Sequence, residues 1–249
     1  MLCPKKCINF MPQSNEKAAL AVLRNSAGSF DPPAKPVLRA CPDARVARWS
    51  NGRLVSLCGM NAVVDYKRRE LIYYSASNSI RTATVESNDG LKNVIAVILE
   101  SPHKDEFSGC ITAPAMGRTG DYFFKYFNQL FPKSRLYRKI NPKQTYDLVF
   151  VNAVQYQTSC GASLWKCPTN LKQRNKNWKK IFQDCGGAYD LLKRLKALHP
   201  CLVLNLCTGG KAAYGLRSRV KNRVQKKYPD CYTCGTHPSS WTKDSRVIY

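Results

Sequence analysis

The segment Val94–Phe107, VIAVILESPHKDEF, constrains the fold more than any other stretch of the chain. A run of apolar, mostly β-branched residues stops at Glu100-Ser101-Pro102-His103 and continues into Lys104-Asp105-Glu106. A short apolar run bounded by polar turn residues reads as a buried strand of a parallel sheet. Its carboxyl end then carries ionisable groups, and in open α/β sheets ligands bind at the carboxyl ends of strands. The alternative for this segment taken alone is a strand followed by a charged surface turn.

The rest of the chain after Asn88-Asp89-Gly90 repeats the pattern. Strands are expected at 93–100, 146–154 (YDLVFVNAV) and 201–207 (CLVLNLC). Between them, one helix starts near Gly120 with Phe123, Phe124, Phe127 and Phe131 at helical spacing, so most of these rings are core. A second helical region covers about 175–198, interrupted at Gly186-Gly187. Gly209-Gly210 opens a third helix through KAAYGLRSRVKNRVQKK, and CYTCGT forms a last short extended piece. Strands alternating with helices predict an α/β fold with a central, mostly parallel sheet and helices on both faces. Before residue 90, Pro32, Pro33 and Pro36 mark an irregular lead-in over 1–40. RLVSLC (53–58), NAVVDY (61–66) and ELIYYS (70–75) predict a hairpin or small sheet. The expected division is therefore a β-rich extension over 1–90 and an α/β domain over 91–249.

The chain carries 40 Lys and Arg against 16 Asp and Glu, a net charge of +24 over 249 residues. Such an imbalance costs self-repulsion in the folded state and points to a polyanionic partner. The cations fall in three clusters: Lys133, Arg135, Arg138, Lys139 and Lys143; Lys172, Arg174, Lys176, Lys179 and Lys180; and Arg217, Arg219, Lys221, Arg223, Lys226 and Lys227. Interleaved aromatics favour a folded nucleic-acid binder over a basic tail. No run approaches a membrane span of ~20 apolar residues, and no apolar signal segment follows the N-terminus. The expected partner is DNA, the expected location cytoplasmic and the expected state monomeric, with no membrane association.

Twelve cysteines in a reducing compartment are expected to be free thiols or metal ligands. Their spacings are ragged: Cys3-x3-Cys7, an unmatched Cys231-x2-Cys234, and loosely spaced Cys160, Cys167 and Cys185. None matches a standard zinc ribbon.

Three expected strand ends carry polar groups: Glu100-Ser101-Pro102-His103, then Asn152 with Gln155 and Gln157, and finally His237. In a parallel sheet these ends converge. A carboxylate, an amide and an imidazole around one cleft in a basic protein make a candidate site.

The order of motifs resembles the uracil-DNA glycosylase superfamily. ILESPHKDEF is similar to its first motif, and Pro114-Ala115-Met116-Gly117-Arg118-Thr119-Gly120-Asp121-Tyr122-Phe123-Phe124 to the Gly-Arg…Gly segment of some branches. VFVNAVQ with Asn152 is similar to its strand ending in Asn, LVLNLCTGGKAAYGL to its strand–Gly–helix unit, and Thr236-His237-Pro238-Ser239-Ser240 to its His-Pro-Ser loop. The resemblance covers roughly residues 92–241. It implies a three-layer α/β/α fold and a DNA glycosylase that flips a nucleotide and hydrolyses its N-glycosidic bond. The base would be uracil-like or a modified pyrimidine, in repair or in defence against phage DNA carrying modified cytosine.

Such chemistry needs a carboxylate near an oxocarbenium-like sugar, a donor to the departing base, and an amide to read the base edge. Where relatives place the catalytic Asp, this chain has Ser101. The remaining carboxylates are Glu100, Asp105 and Asp121, with His237 as the donor. Each has a plainer alternative: a loop hydrogen bond for Glu100, a helix cap for Asp121, a solvated turn for Asp105 and Glu106, and a structural role for His237. Ser101, His103 and Asn152 would line the base pocket, Asn152 alternatively bonding its own turn. Gly209, Gly210 and Lys211 would hold a phosphate at a helix start. Ser239 and Ser240 would pinch the backbone, and Trp241 would be either the wedge filling the gap or a core residue. No cofactor is expected. The iron–sulfur cluster of some branches is not anticipated, because Tyr156 stands where one Cys ligand would fall. The rival readings are a non-catalytic nucleic-acid-binding protein on the same scaffold and a nuclease holding Mg²⁺ with the acids of 100–121.

Overall fold

The computed structural model describes residues 40–56, 62–65, 70–73, 86–87, 91, 93–103, 106, 114–115, 117–156, 171–209 and 215–243. Nine strands form one sheet: β1 Ala44–Ser50, β2 Arg53–Ser56, β3 Ala62–Asp65, β4 Glu70–Tyr73, β5 Glu86–Ser87, β6 Ile95–Leu99, β7 Tyr146–Asn152, β8 Leu202–Asn205 and β9 Tyr232–Cys234. The order is β5-β4-β3-β1-β7-β6-β8-β9, with β2 paired to β1. Four helices are described: α1 Arg118–Leu130, α2 Leu171–Asp184, α3 Gly187–Leu198 and α4 Leu216–Val224. None is long and apolar enough to cross a membrane.

The expectation of a mostly parallel sheet needs correction. β6, β7, β8 and β9 are parallel. However, β1 lies antiparallel to β7 and carries the antiparallel strands β2 to β5 with it. The sheet is mixed, and the strands before residue 90 extend it rather than forming a sheet of their own. The physical reason is burial. β1, ARVARWS, is almost wholly buried and covers the open edge of β7, which an exposed apolar strand would otherwise offer for aggregation. Its own residues Arg45 and Arg48 meet the fully buried Asp147 of β7 at 3.8 and 2.9 Å.

The all-apolar strand β6 needs cover on both sides, and it has it. Ile95, Val97 and Leu99 face one cluster with Trp49, Phe123, Phe127, Phe131 and Trp241; Ala96 and Ile98 face another with Trp178, Phe182, Leu191, Leu195 and Val220. The alternation follows the period of two of a strand. On the α1 side Phe127 stacks between Phe123 and Phe131 at 4.6 and 4.7 Å. Each buried ring contributes about 1.5–3 kcal/mol. Phe124 is only half-buried. The helical region after 170 breaks where the sequence puts Gly186-Gly187, because Gly186 adopts φ 79, a conformation costly for any side chain.

Candidate functional site

The parallel strands place their carboxyl ends at one edge of the sheet. In register, Leu99 of β6 faces Asn152 of β7, and Ile98 faces Asn205 of β8. Glu100 therefore emerges between the ends of β7 and β8. Its backbone carbonyl accepts from the Val154 N–H at 3.1 Å and from the Trp178 indole N–H at 2.6 Å, which ties α2 to the strand end. Its carboxylate accepts the Thr208 N–H at 2.9 Å and pairs with Arg174 at 3.5 Å. Arg174 belongs to the second basic cluster, so one cation of that cluster is turned to the site.

His237 lies in the loop after β9, within reach of the charges of Glu100 and Arg174. Burial lowers its pKa; the Glu100 charge opposes this and the Arg174 charge adds to it. The ring is thus neutral near pH 7. Its Nδ1 accepts the Ser239 N–H at 3.3 Å and faces the Ser239 hydroxyl at 2.8 Å. An acceptor at Nδ1 puts the ring proton on Nε2. Among the described residues nothing takes that proton, so His237 offers a neutral N–H donor. The Ser240 hydroxyl donates to the His237 carbonyl at 2.7 Å. Ser239 thus fixes the imidazole and Ser240 the His237 backbone, roles sequence reasoning did not give them.

The loops that carry Thr208 and His237 are clamped together by Arg217. Its guanidinium donates to the Gly235 carbonyl at 2.7 Å and lies flat against Gly209. A Cβ built at Gly209 would sit 2.3 Å from Arg217 Nη2, so a larger residue here would push the guanidinium aside. The described helix here opens at Leu216, behind Gly215 at φ 70; residues 210–214, where the expected helix start falls, lie outside the described residues. Asp105, Gly210 and Lys211 lie outside the described residues.

Asn152 is fully buried. Arg194 donates to its carbonyl at 2.9 Å and grips Asp43 with both oxygens, at 2.9 and 2.8 Å. The Asn152 Nδ2 donates to Glu106 Oε2 at 3.4 Å, while its Oδ1 has no hydrogen-bond partner among the described residues. An orphaned acceptor in a buried amide is costly, at ~1–3 kcal/mol, and rare.

The expectation of a solvated turn residue at Glu106 is overturned. Glu106 is buried at 4% exposure. Its Oε1 accepts the Ala115 N–H at 3.0 Å, and its own N–H donates to the His103 carbonyl at 3.1 Å. Burial pushes its carboxyl up to about 7, against hydrogen bonds from Ala115, Cys41 and Asn152. Gly120 makes this possible, because a Cβ there would sit 1.9 Å from the Ala115 carbonyl oxygen. The Cys41 thiol facing Glu106 is itself pushed well up by burial and then by the Glu106 charge.

The other expected site residues divide. Ser101 is half-buried at the strand end, and His103 is exposed. Asp121 is exposed in the first turn of α1. The residue before that helix is Gly117, with no side-chain cap, so Asp121 neither caps nor joins the strand-end cluster. Trp241 is in the core, not at the surface: it is fully buried, tilts over Phe123 at 5.5 Å, and its indole N–H donates to the Thr236 carbonyl at 3.0 Å. A wedge for a duplex has to be free to leave the core, and this ring is not. Tyr156 is buried and bridges to Ala40. Six cysteines are free among the described residues, and no group of three or more His, Cys, Asp or Glu there lies close enough to hold a metal.

The basic clusters converge. Burial and then the Arg219 charge lower the Lys179 pKa, and Arg219 donates to Gln183 at 2.7 Å, so the α2 and α4 clusters meet. Lys139 of the first cluster donates to the Asp230 carbonyl just past α4 at 2.5 Å.

Comparison with family models, with curated proteins and with solved structures gives no match.

Proposed function

We propose that the chain is a DNA glycosylase with a three-layer, uracil-DNA glycosylase-like core, hydrolysing the N-glycosidic bond of a flipped pyrimidine and leaving an abasic site. The observation that supports this reading best is the grouping of Glu100 and His237 at the edge where β7 presents Asn152 with a free amide oxygen. Glu100 stabilises the positive charge that develops on the sugar and orients water. His237 donates its Nε2 proton as a hydrogen bond to the oxygen of the departing base, which takes negative charge. A neutral imidazole suits that task, since it holds the anion without first losing a proton to water. Asn152 reads the pairing edge of the base. The basic surface binds the phosphates, and water completes the reaction with no cofactor.

The test is a labelled duplex bearing uracil, or phage DNA with modified cytosine, incubated with the protein and then treated with alkali. Alkali-dependent breaks support a glycosylase. Direct breaks that need Mg²⁺ mean a nuclease, and retarded but intact DNA means binding alone. The last outcome has one observation in its favour: Glu100 already pairs with Arg174, and the neighbouring Ser101 carries no carboxylate.

The exposed residues Lys221, Arg223 and Lys226 on and after α4 give a separate expectation. Replacing all three by Gln makes the slope of log K against log salt shallower by roughly 0.9 for each phosphate that is no longer neutralised. An unchanged slope would move the DNA to another face.

A further inference from the structure

Glu106 has no part in the chemistry above, yet the chain builds a buried niche for it. Ala115, at φ 59, and Gly120 bring one N–H to Oε1, and Asn152 supplies the donor to Oε2. An ionised carboxylate only accepts hydrogen bonds, whereas a protonated one also donates. The amide of Asn152 has one accepting and one donating end, so whichever end meets Glu106, the other is left for a different partner.

We infer that Glu106 is a positioning residue that decides which end of the Asn152 amide faces the base, and so which class of pyrimidine is accepted. This rests on the glycosylase reading. With Glu106 ionised, Nδ2 turns to it and Oδ1 is left over, which is the arrangement found. That oxygen accepts the ring N–H of an imide base such as uracil, and the second amide hydrogen serves the exocyclic carbonyl. With Glu106 protonated, its O–H donates to Oδ1 and the amide is reversed. Nδ2 then faces the cleft and meets the ring nitrogen lone pair of a cytosine-type base, whose amino group finds Oδ1. The Ala115 N–H bond is the same in both states.

The surroundings allow both states near neutral pH, since burial holds the carboxyl at about 7. Among the described residues, Cys41 offers its thiol, and the His103 backbone adds a hydrogen bond that favours the carboxylate. The charge of Asp43 is matched by Arg194, which also pairs with Asp190 at 2.7 Å.

The test reads binding, not excision. Duplexes carry 2′-fluoro-2′-deoxyuridine or 2′-fluoro-2′-deoxycytidine at one mispaired position, since the fluorine suppresses bond cleavage. The ratio of their Kd values is measured at pH 6 and pH 8 for the native protein and Glu106→Gln. The native protein should favour the uracil duplex at pH 8, and the preference should shrink roughly ten- to a hundredfold at pH 6, the size of one good bidentate base pairing. Glu106→Gln keeps an acceptor for Ala115 and donates to Asn152 permanently, so its ratio should match the acid form at both pH values. Cys41→Ala removes a hydrogen bond to the carboxylate and should move the midpoint to higher pH, which keeps the question answerable if the Gln variant is unstable. A pH-independent native ratio, or an unaltered ratio in Glu106→Gln, overturns the inference while leaving the glycosylase reading intact. Failure to distinguish either duplex from an unmodified one overturns both.

Discussion

On the proposed glycosylase reading, Glu100→Gln should lower base excision by on the order of 10²–10³-fold, the effect of removing one preorganised electrostatic interaction with a transition state, while duplex affinity should stay at the native level or rise slightly. The substitution is close to isosteric. Gln retains an oxygen for the Thr208 N–H, and the strand-end carbonyl of residue 100 still accepts from Val154 and Trp178. What disappears is the negative charge at the end of β6, together with a partner of Arg174, which at 18% exposure can hydrate instead. The fold should therefore melt near its native temperature. Asp121→Asn is the control. Its carboxylate is exposed and joins none of the strand-end groups, so excision should be unchanged. Single-turnover excision separates chemistry from binding; a fully active Glu100→Gln would remove the carboxylate assignment, and an inactive Asp121→Asn would transfer it.

Much of this site is legible in the sequence because it sits where periodicity ends. The apolar runs of β6, β7 and β8 are continuous, so the residues that close them, Glu100, Asn152 and the Cys207–Thr208 turn, are marked by contrast alone. The break at Gly186 is visible for the same reason: glycine takes the left-handed conformation found there at the least cost. Glu106 is not legible. In Lys104-Asp105-Glu106 it looks like its neighbours, and the return of Ala115 against Gly120, which brings an N–H to its carboxylate, is a tertiary contact. β1 escapes a periodicity reading because Arg45 and Arg48 break its apolar alternation; both pair with Asp147, 99 residues from Arg48 in sequence. Trp241 could not be assigned from composition, since an aromatic after a His-Pro-Ser loop suits a wedge and a core ring equally. Arg194 has one local cue, its i,i+4 spacing from Asp190, but nothing local points to Asp43.

Arg194 carries the largest expected effect on stability. It is 4% exposed and makes four bonds of consequence: two to Asp43, one to Asp190 and one to the Asn152 carbonyl. Removing one partner of a buried charge network leaves the others without compensation, which costs about 3–5 kcal/mol. For a domain of this size that is a fall in Tm of roughly 10 °C. Arg194→Ala should show such a fall by calorimetry. Charge alone does not explain it, because Arg194→Lys, which keeps one cation but cannot serve Asp43, Asp190 and the Asn152 carbonyl at once, should recover only part. Pairing Arg194→Met with Asp43→Asn should cost clearly less than the two single losses combined, since the double variant strands one carboxylate fewer. Strict additivity would mean the pair is not coupled. The functional consequence follows from the same bonds. Arg194 fixes the backbone of Asn152 from behind while Glu106 holds its amide from the side. On the glycosylase reading, Arg194→Lys at a temperature where it remains folded should therefore weaken discrimination between base types more than affinity for plain duplex, because the cations proposed to meet the phosphates, Lys221, Arg223 and Lys226, are exposed residues on and after α4.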